Sequence, residues 1–134
     1  MKSSIEHLTA ELDKNDPVTE IVLDDLLKKL DFSLPKDYLD FISRYNGAEG
    51  SINNNYMGFY KVEELIQVND GYGVESGAPG YFLFATNLGG TAYAFNKADG
   101  SVVAFEFITM LIHDEPHFEV KDFESFLEML AAEV

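Results

Sequence analysis

The stretch Leu34-Pro35-Lys36-Asp37-Tyr38-Leu39-Asp40-Phe41-Ile42-Ser43-Arg44-Tyr45-Asn46-Gly47 constrains this chain more than any other, because it carries a helix with both ends marked. Pro35 suits the first turn, where its fixed φ is already helical and its missing N–H would have no intrahelical partner. Asp37 opposes the positive end of the helix dipole, and Arg44 sits where a cation is favoured. Asn46-Gly47 supplies residues that tolerate the left-handed conformation in which many helices stop. Tyr38, Phe41, Ile42 and Tyr45 recur at i, i+3, i+4 and i+7, so one face is apolar and must be buried against another element. Such a stripe marks a fold and is not by itself a binding site.

The elements on either side say what that face packs against. Residues 3 to 12 have a weak helical period, and residues 1–18 read as an N-terminal extension with a short or frayed helix, ahead of a domain over residues 19–134. Asn15-Asp16-Pro17 breaks the pattern. Ile21, Val22, Leu26, Leu27 and Leu30 are again spaced for a helix, and the short joint Asp31-Phe32-Ser33-Leu34 makes it a neighbour of the marked one. Ala48 to Asn55 is small and polar and is expected to be a surface loop, with Tyr56 to Tyr60 an aromatic strand. Lys61 to Val68 suits one or two helical turns, and the Gly-rich run Asn69 to Gly80 is expected to be mobile.

Tyr81-Phe82-Leu83-Phe84-Ala85-Thr86 is a continuous apolar run, consistent with a strand covered on both faces. Thr91 to Phe95 and Ser101 to Ile108 alternate as strands do, and Asn96-Lys97-Ala98-Asp99-Gly100 between them reads as a hairpin connection. Thr109 to His113 continues that strand or begins a bent one. Asp122 is a natural N-cap, and Phe123, Phe126, Leu127 and Leu130, backed by Val120, form the apolar stripe of a closing helix. Helices early, strands in the middle and a helix last predict a single α+β domain, with an antiparallel sheet of about four to six strands.

Charge decides which functions such a domain can serve. Lys and Arg number 9 against 24 Asp and Glu, for a net charge of −15. Residues 1–61 hold 7 basic and 11 acidic side chains, whereas residues 62–134 hold only Lys97 and Lys121 against 13 acids. That field repels nucleic acid phosphates and anionic membranes, and it steers a basic partner inward. The absence of cysteine excludes disulfides, Cys-based zinc sites and thiol nucleophiles. The first twenty residues resemble neither a signal nor a transit peptide, and a soluble, cytoplasmic protein is expected.

The residue types of catalysis are present, but not in catalytic patterns. His113-Asp114-Glu115-Pro116-His117 contains suitable metal ligands, yet Pro116 keeps His113 and His117 off a common helical face. Asn87-Leu88-Gly89-Gly90-Thr91 opens into a strand instead of a helix and lacks the lysine of a phosphate loop, so its glycines are expected to shape a turn. His7 is read as a surface residue. Nothing resembles a nucleophile elbow, and no cofactor, metal or catalytic activity is expected.

Four blocks together resemble the SUKH superfamily, the Smi/Knr-type domain. Leu34-Pro35-x-Asp37-Tyr38-x-x-Phe41, ending in Asn46-Gly47, is similar to its N-terminal signature. Tyr60 to Leu65 looks like its short helix after an aromatic strand. Thr86-Asn87-Leu88-Gly89-Gly90-Thr91-Ala92-Tyr93-Ala94-Phe95 looks like its Gly-rich turn and following strand. Asp122-Phe123-x-x-Phe126-Leu127 resembles its closing helix, with Asp122 standing where a serine is frequent. The likeness spans about residues 19 to 131. Asp31 and Phe32 depart from it, where a glycine is common before the Leu-Pro pair, so that joint is expected to differ.

The resemblance implies no shared catalytic residues, and it implies that His113-Asp114 is structural. Bacterial members of the superfamily look like antidotes to secreted toxins, many of them nucleases, whereas a fungal member is a cell-wall regulator. The resemblance therefore implies an immunity protein that occupies a cognate toxin domain, or alternatively a regulatory or scaffolding module without a toxin. The acidic charge favours the first, since nucleases present basic clefts. Glu63, Glu64, Asp70, Glu75, Asp114 and Glu115 are the candidate contacts, being acids in or beside expected loops.

Overall fold

The computed structural model describes residues 3–106 and 118–132. In chain order its elements are α1 (Ser3–Leu8), β1 (Asp13–Lys14), α2 (Glu20–Lys29), α3 (Lys36–Arg44), β2 (Ala48–Ile52), β3 (Asn55–Phe59), α4 (Val62–Gly71), α5 (Val74–Gly77), β4 (Tyr81–Thr86), β5 (Thr91–Asn96), β6 (Val102–Glu106), β7 (Glu119–Val120) and α6 (Phe123–Ala132). The strands form one antiparallel sheet in the order β1 to β7, so each hydrogen-bonds its sequence neighbours.

The expected α+β class holds, but the sheet has seven strands among the described residues where four to six were expected. The outermost strands, β1 and β7, are two residues each, too short to show an alternation. Ala48 to Ile52 was expected to be loop and is strand β2. Its glycine has a packing reason. A Cβ at Gly50, whose φ is +147°, would stand 3.2 Å from the Leu12 Cα, so glycine lets the chain around β1 come alongside.

The apolar face of α3 is buried as its spacing requires: Tyr38, Phe41 and Ile42 are at most 1 % exposed. With Phe123, Phe126, Leu127 and Leu130 of α6, it covers one face of the sheet, meeting Phe59, Phe84 and Phe95. The Phe84 and Phe95 rings stack at 4.1 Å, and Tyr38 stands edge-on to Phe95 at 4.8 Å. Aromatic pairs in such orientations add about 0.5–1.5 kcal/mol each beyond the area they bury. Asp37 joins the two helices, since its Oδ2 accepts from the Glu124 N–H at 3.2 Å. Asp122 caps α6 as expected, its Oδ1 accepting from the Ser125 N–H at 2.8 Å.

Val74, Ala78, Leu83, Ala92, Ala94, Val103 and Phe105 form a second cluster, alternating along the strands with the residues of the first. Alternation sends Phe82 and Phe84 of β4 to the first cluster and Leu83 to the second, so this strand is covered on both faces as its unbroken apolar run foretold. The Gly-rich run expected to be mobile instead extends α4 to Gly71 and forms α5. The Asn69 side chain explains the extension. Its amide donates to the Leu65 and Leu83 carbonyls at 2.8 and 2.9 Å, and its oxygen accepts from the Leu83 N–H at 2.8 Å. Asn69 thus fills the edge of β4 where β3, paired only through Gly58 and Phe59, has already turned away.

Candidate functional site

Helix α4 presents three of the six candidate acids, and its start is held by two caps. The Glu64 Oε1 accepts from the Lys61 N–H at 2.9 Å, as in a capping box. Asn46, two residues past the end of α3, serves α4: its Oδ1 accepts from the Val62 N–H at 2.8 Å, and its amide donates to Glu63 Oε1 at 2.7 Å. The Asn46 amide holds the Glu63 carboxyl below the usual carboxylate range, so this charge stays on. Val62 and Leu65 are buried beneath, which leaves Glu63, Glu64, Gln67 and Asp70 on the exposed side of the helix.

Glu75 is placed differently. Together with Asp70 it lines a cleft of about 260 Å³ that also holds Lys29, Asp31 and Lys97. The Lys97 ammonium lies 3.0 Å from Asp31 Oδ1 and 3.4 Å from Glu75 Oε2, and 5.6 Å from the centre of the Phe32 ring. Burial pulls the Lys97 ammonium down, but the hydrogen bonds and charges of Asp31 and Glu75 outweigh it and raise its pKa. Lys97 in turn holds the Asp31 carboxyl below its ordinary range, chiefly by the hydrogen bond. The two residues that depart from the expected joint, Asp31 and Phe32, are thus the ones Lys97 binds.

On the other side of Lys97 lies a groove of about 1000 Å³ between the α2–α3 joint, the β5–β6 hairpin and the start of α6. It collects both cations of the second half, Lys97 and Lys121, together with Lys36, Asp40 and Asp99. Its acids Asp37 and Asp122 are occupied with backbone N–H groups of α3 and α6.

The structure therefore brings Glu63, Glu64 and Asp70 onto one helix and draws Glu75 into an ion pair. Asp114 and Glu115 lie outside the described residues, as do His113 and His117. Among the described residues no group of three or more His, Asp or Glu side chains is arranged to hold a metal ion. No helix among them is long and apolar enough to cross a membrane. The sequence reading missed Tyr72 and Leu88, which stand 42 % and 57 % exposed. Each is a single large apolar residue in a Gly-rich stretch, so neither belongs to a period that would draw notice.

The model of the SMI1 / KNR4 family (SUKH-1) matches residues 17–132, from the approach to α2 through the last residue of α6. No curated protein matches the chain. All the blocks described above fall inside the family match: the marked helix α3, the α4 start, the turn between β4 and β5, and the Asp122-capped α6. The chain belongs to the SMI1 / KNR4 family (SUKH-1).

Proposed function

We propose that this protein is a non-catalytic binding protein of the cytoplasm, an immunity protein that neutralises a cognate toxin domain by occupying it. The partner is a basic protein, best matched by a nuclease. The observation that carries this reading is the exposed side of α4. Glu63, Glu64 and Asp70 stand there together, on a helix fixed at its start by Asn46 and along its length by Asn69. A rigid acidic face fits a cleft evolved for phosphates, and it speeds encounter at low salt. Of the two cations of the second half, Lys121 lies in the groove beside α6, and Lys97, at the cleft it shares with Asp70, is paired with Asp31 and Glu75.

Family membership supports a protein partner, since the superfamily includes immunity proteins. The test is co-expression with the C-terminal domain encoded immediately upstream of this chain, scored by survival and co-purification. Rescue together with a stable complex supports the reading. A toxic upstream domain that is neither bound nor neutralised refutes it.

A further inference from the structure

The two halves of the sheet are covered differently. The second cluster packs on one face of β4, β5 and β6, and β1, β2 and β3 contribute no buried residue to it. On those three strands Ala48, Ile52, Met57 and Phe59 alternate into the main core. Asp13, Glu49, Ser51 and Tyr56 take the other face, and all four are exposed. Register and contact join them into one surface. Asp13, Glu49, Gly58 and Thr86 are successive partners across β1 to β4, and Tyr56 faces Ser51 one pleat further along. The Tyr56 hydroxyl donates to Glu49 Oε2 at 2.7 Å, so the phenol reaches back to the neighbouring row. At the β4 end Leu88 lies over Gly58: a Cβ there would sit 3.5 Å from Leu88 Cδ2, and the Leu88 N–H donates to Thr86 Oγ1 at 3.0 Å. Tyr56 is 47 % exposed and Leu88 57 %.

Two features of this face cost the free protein stability. Asp13 and Glu49 stand directly opposite each other, a destabilising pair of like charges, and among the described residues no Lys or Arg forms an ion pair with either. The adjacent Lys14 turns to the opposite face, its ammonium 4.6 Å from the centre of the Tyr45 ring and 3.9 Å from Glu6 Oε1. Leu88 has φ +61°, a left-handed conformation that costs a residue with a Cβ and that asparagine or glycine tolerates better. A cation between the two carboxylates would relieve the first cost. An apolar group against Leu88 would bury a side chain that neither the conformation nor the burial of its position requires.

From this arrangement we infer that the open face of β1 to β3 docks a basic segment of a protein partner, whose cation sits between Asp13 and Glu49 and whose apolar side chains cover Tyr56 and Leu88. The two carboxylates fix the sign of that segment. Tyr56, tied to Glu49, and Leu88, seated on Gly58, lose little freedom on binding, and a few such anchors carry most of the affinity of an interface. The inference rests on the toxin-binding reading for the identity of the partner, and it adds a contact surface to the exposed side of α4.

The experiment measures binding of the purified full chain to the upstream-encoded toxin domain at low and high salt, with a melting curve for each variant. Glu49→Gln is expected to weaken binding about tenfold at low salt, and less as salt screens the charges. Leu88→Asn is expected to weaken it about tenfold at either salt, mostly through faster dissociation. Glu128→Gln, which removes an exposed charge from α6, should change it less than about twofold. Neither Glu49→Gln nor Leu88→Asn should melt below the parent. Glutamine still accepts from Tyr56 while removing one of two opposed charges, and asparagine suits the left-handed position. Parent-like binding by either of these two variants overturns the inference and leaves the toxin reading standing. A loss for Glu128→Gln equal to that for Glu49→Gln overturns it too, by assigning the effect to net charge. So does a melting temperature lower by about 5 °C or more for Glu49→Gln or Leu88→Asn, which makes the residue structural. If the parent chain itself fails to bind or neutralise the domain, the toxin reading fails and the inference falls with it.

Discussion

Replacing Tyr38 by phenylalanine should make this protein more stable. Tyr38 is fully buried among the rings of Phe84, Phe95 and Phe123, with centroids 5.3, 4.8 and 5.4 Å away. Its hydroxyl has no hydrogen-bond partner among the described residues. An unpaired buried hydroxyl costs about 1–3 kcal/mol relative to water, and removing it forfeits only a few contacts worth about 0.1–0.2 kcal/mol each. The net gain for Tyr38→Phe is therefore about 1 kcal/mol. For a chain of 134 residues the unfolding entropy is roughly 0.28 kcal/mol per kelvin near 60 °C, so the gain appears as a rise in Tm of about 3–4 °C.

The alkaline limb gives a second readout of the same substitution. Burial pushes the Tyr38 phenol well above its ordinary value. A group raised in this way contributes stability that is complete below the unfolded pKa of about 10 and is lost as pH rises beyond it. Tyr38→Phe should flatten that loss above about pH 10 but not abolish it, because Tyr60 remains raised. Calorimetry between neutral pH and about pH 11 measures both effects. A variant that melts about 2 °C or more below the parent, with an unchanged alkaline limb, would refute the reasoning by showing that the hydroxyl is satisfied.

Gly47→Ala should destabilise by about 2–3 kcal/mol, because φ is +85° and the new Cβ would stand 3.0 Å from the Phe59 carbonyl oxygen, a backbone atom that cannot yield easily. Denaturant titration would show it as a lower midpoint at constant slope. Asp122→Ala should cost about 1 kcal/mol by removing the cap of α6, while Asp122→Ser should lie within a few tenths of the parent. Lys97→Met should speed amide exchange in the β5–β6 hairpin and at the α2–α3 joint by freeing Asp31 and Glu75. Asp31 is held low and Lys97 high, so that difference should be fullest between about pH 4 and pH 10, shrinking as the carboxylate protonates below or the ammonium deprotonates above.

Segments whose own residues set a period were legible in the sequence. The stripe of Tyr38, Phe41 and Ile42 named α3, the unbroken run Tyr81 to Thr86 named β4, and Asp122 marked the start of α6. What stayed hidden depends on distant partners. Strand β2 carries a glycine at position 50 because the chain around Leu12 passes close to it. Helix α5 forms in a Gly-rich stretch because Val74 and Ala78 are buried against the sheet, and tertiary packing overrides weak local propensity.

The candidate site was legible to a smaller degree, for the same reason. Abundant acids were plain in the sequence, but their present partners were not. Glu75 meets Lys97 across 22 residues and Glu63 meets Asn46 across 17, pairings that no spacing rule anticipates. Asn53 and Asn55, within the stretch expected to be a surface loop, donate to the carbonyls of Ala131 and Leu130 at the end of α6. Each asparagine closes the last turn of a helix more than seventy residues away.

The acidic face of α4 is tested most directly by the rate at which this protein associates with the upstream-encoded toxin domain, followed across ionic strength. Glu63→Gln, Glu64→Gln and Asp70→Asn combined remove the charge while keeping side chains that can still cap α4. The account predicts that the parent's association rate falls steeply with added salt, and that the triple variant associates at least about tenfold more slowly at low salt with a flatter dependence. Equal rates and equal salt dependence for the two proteins would contradict it.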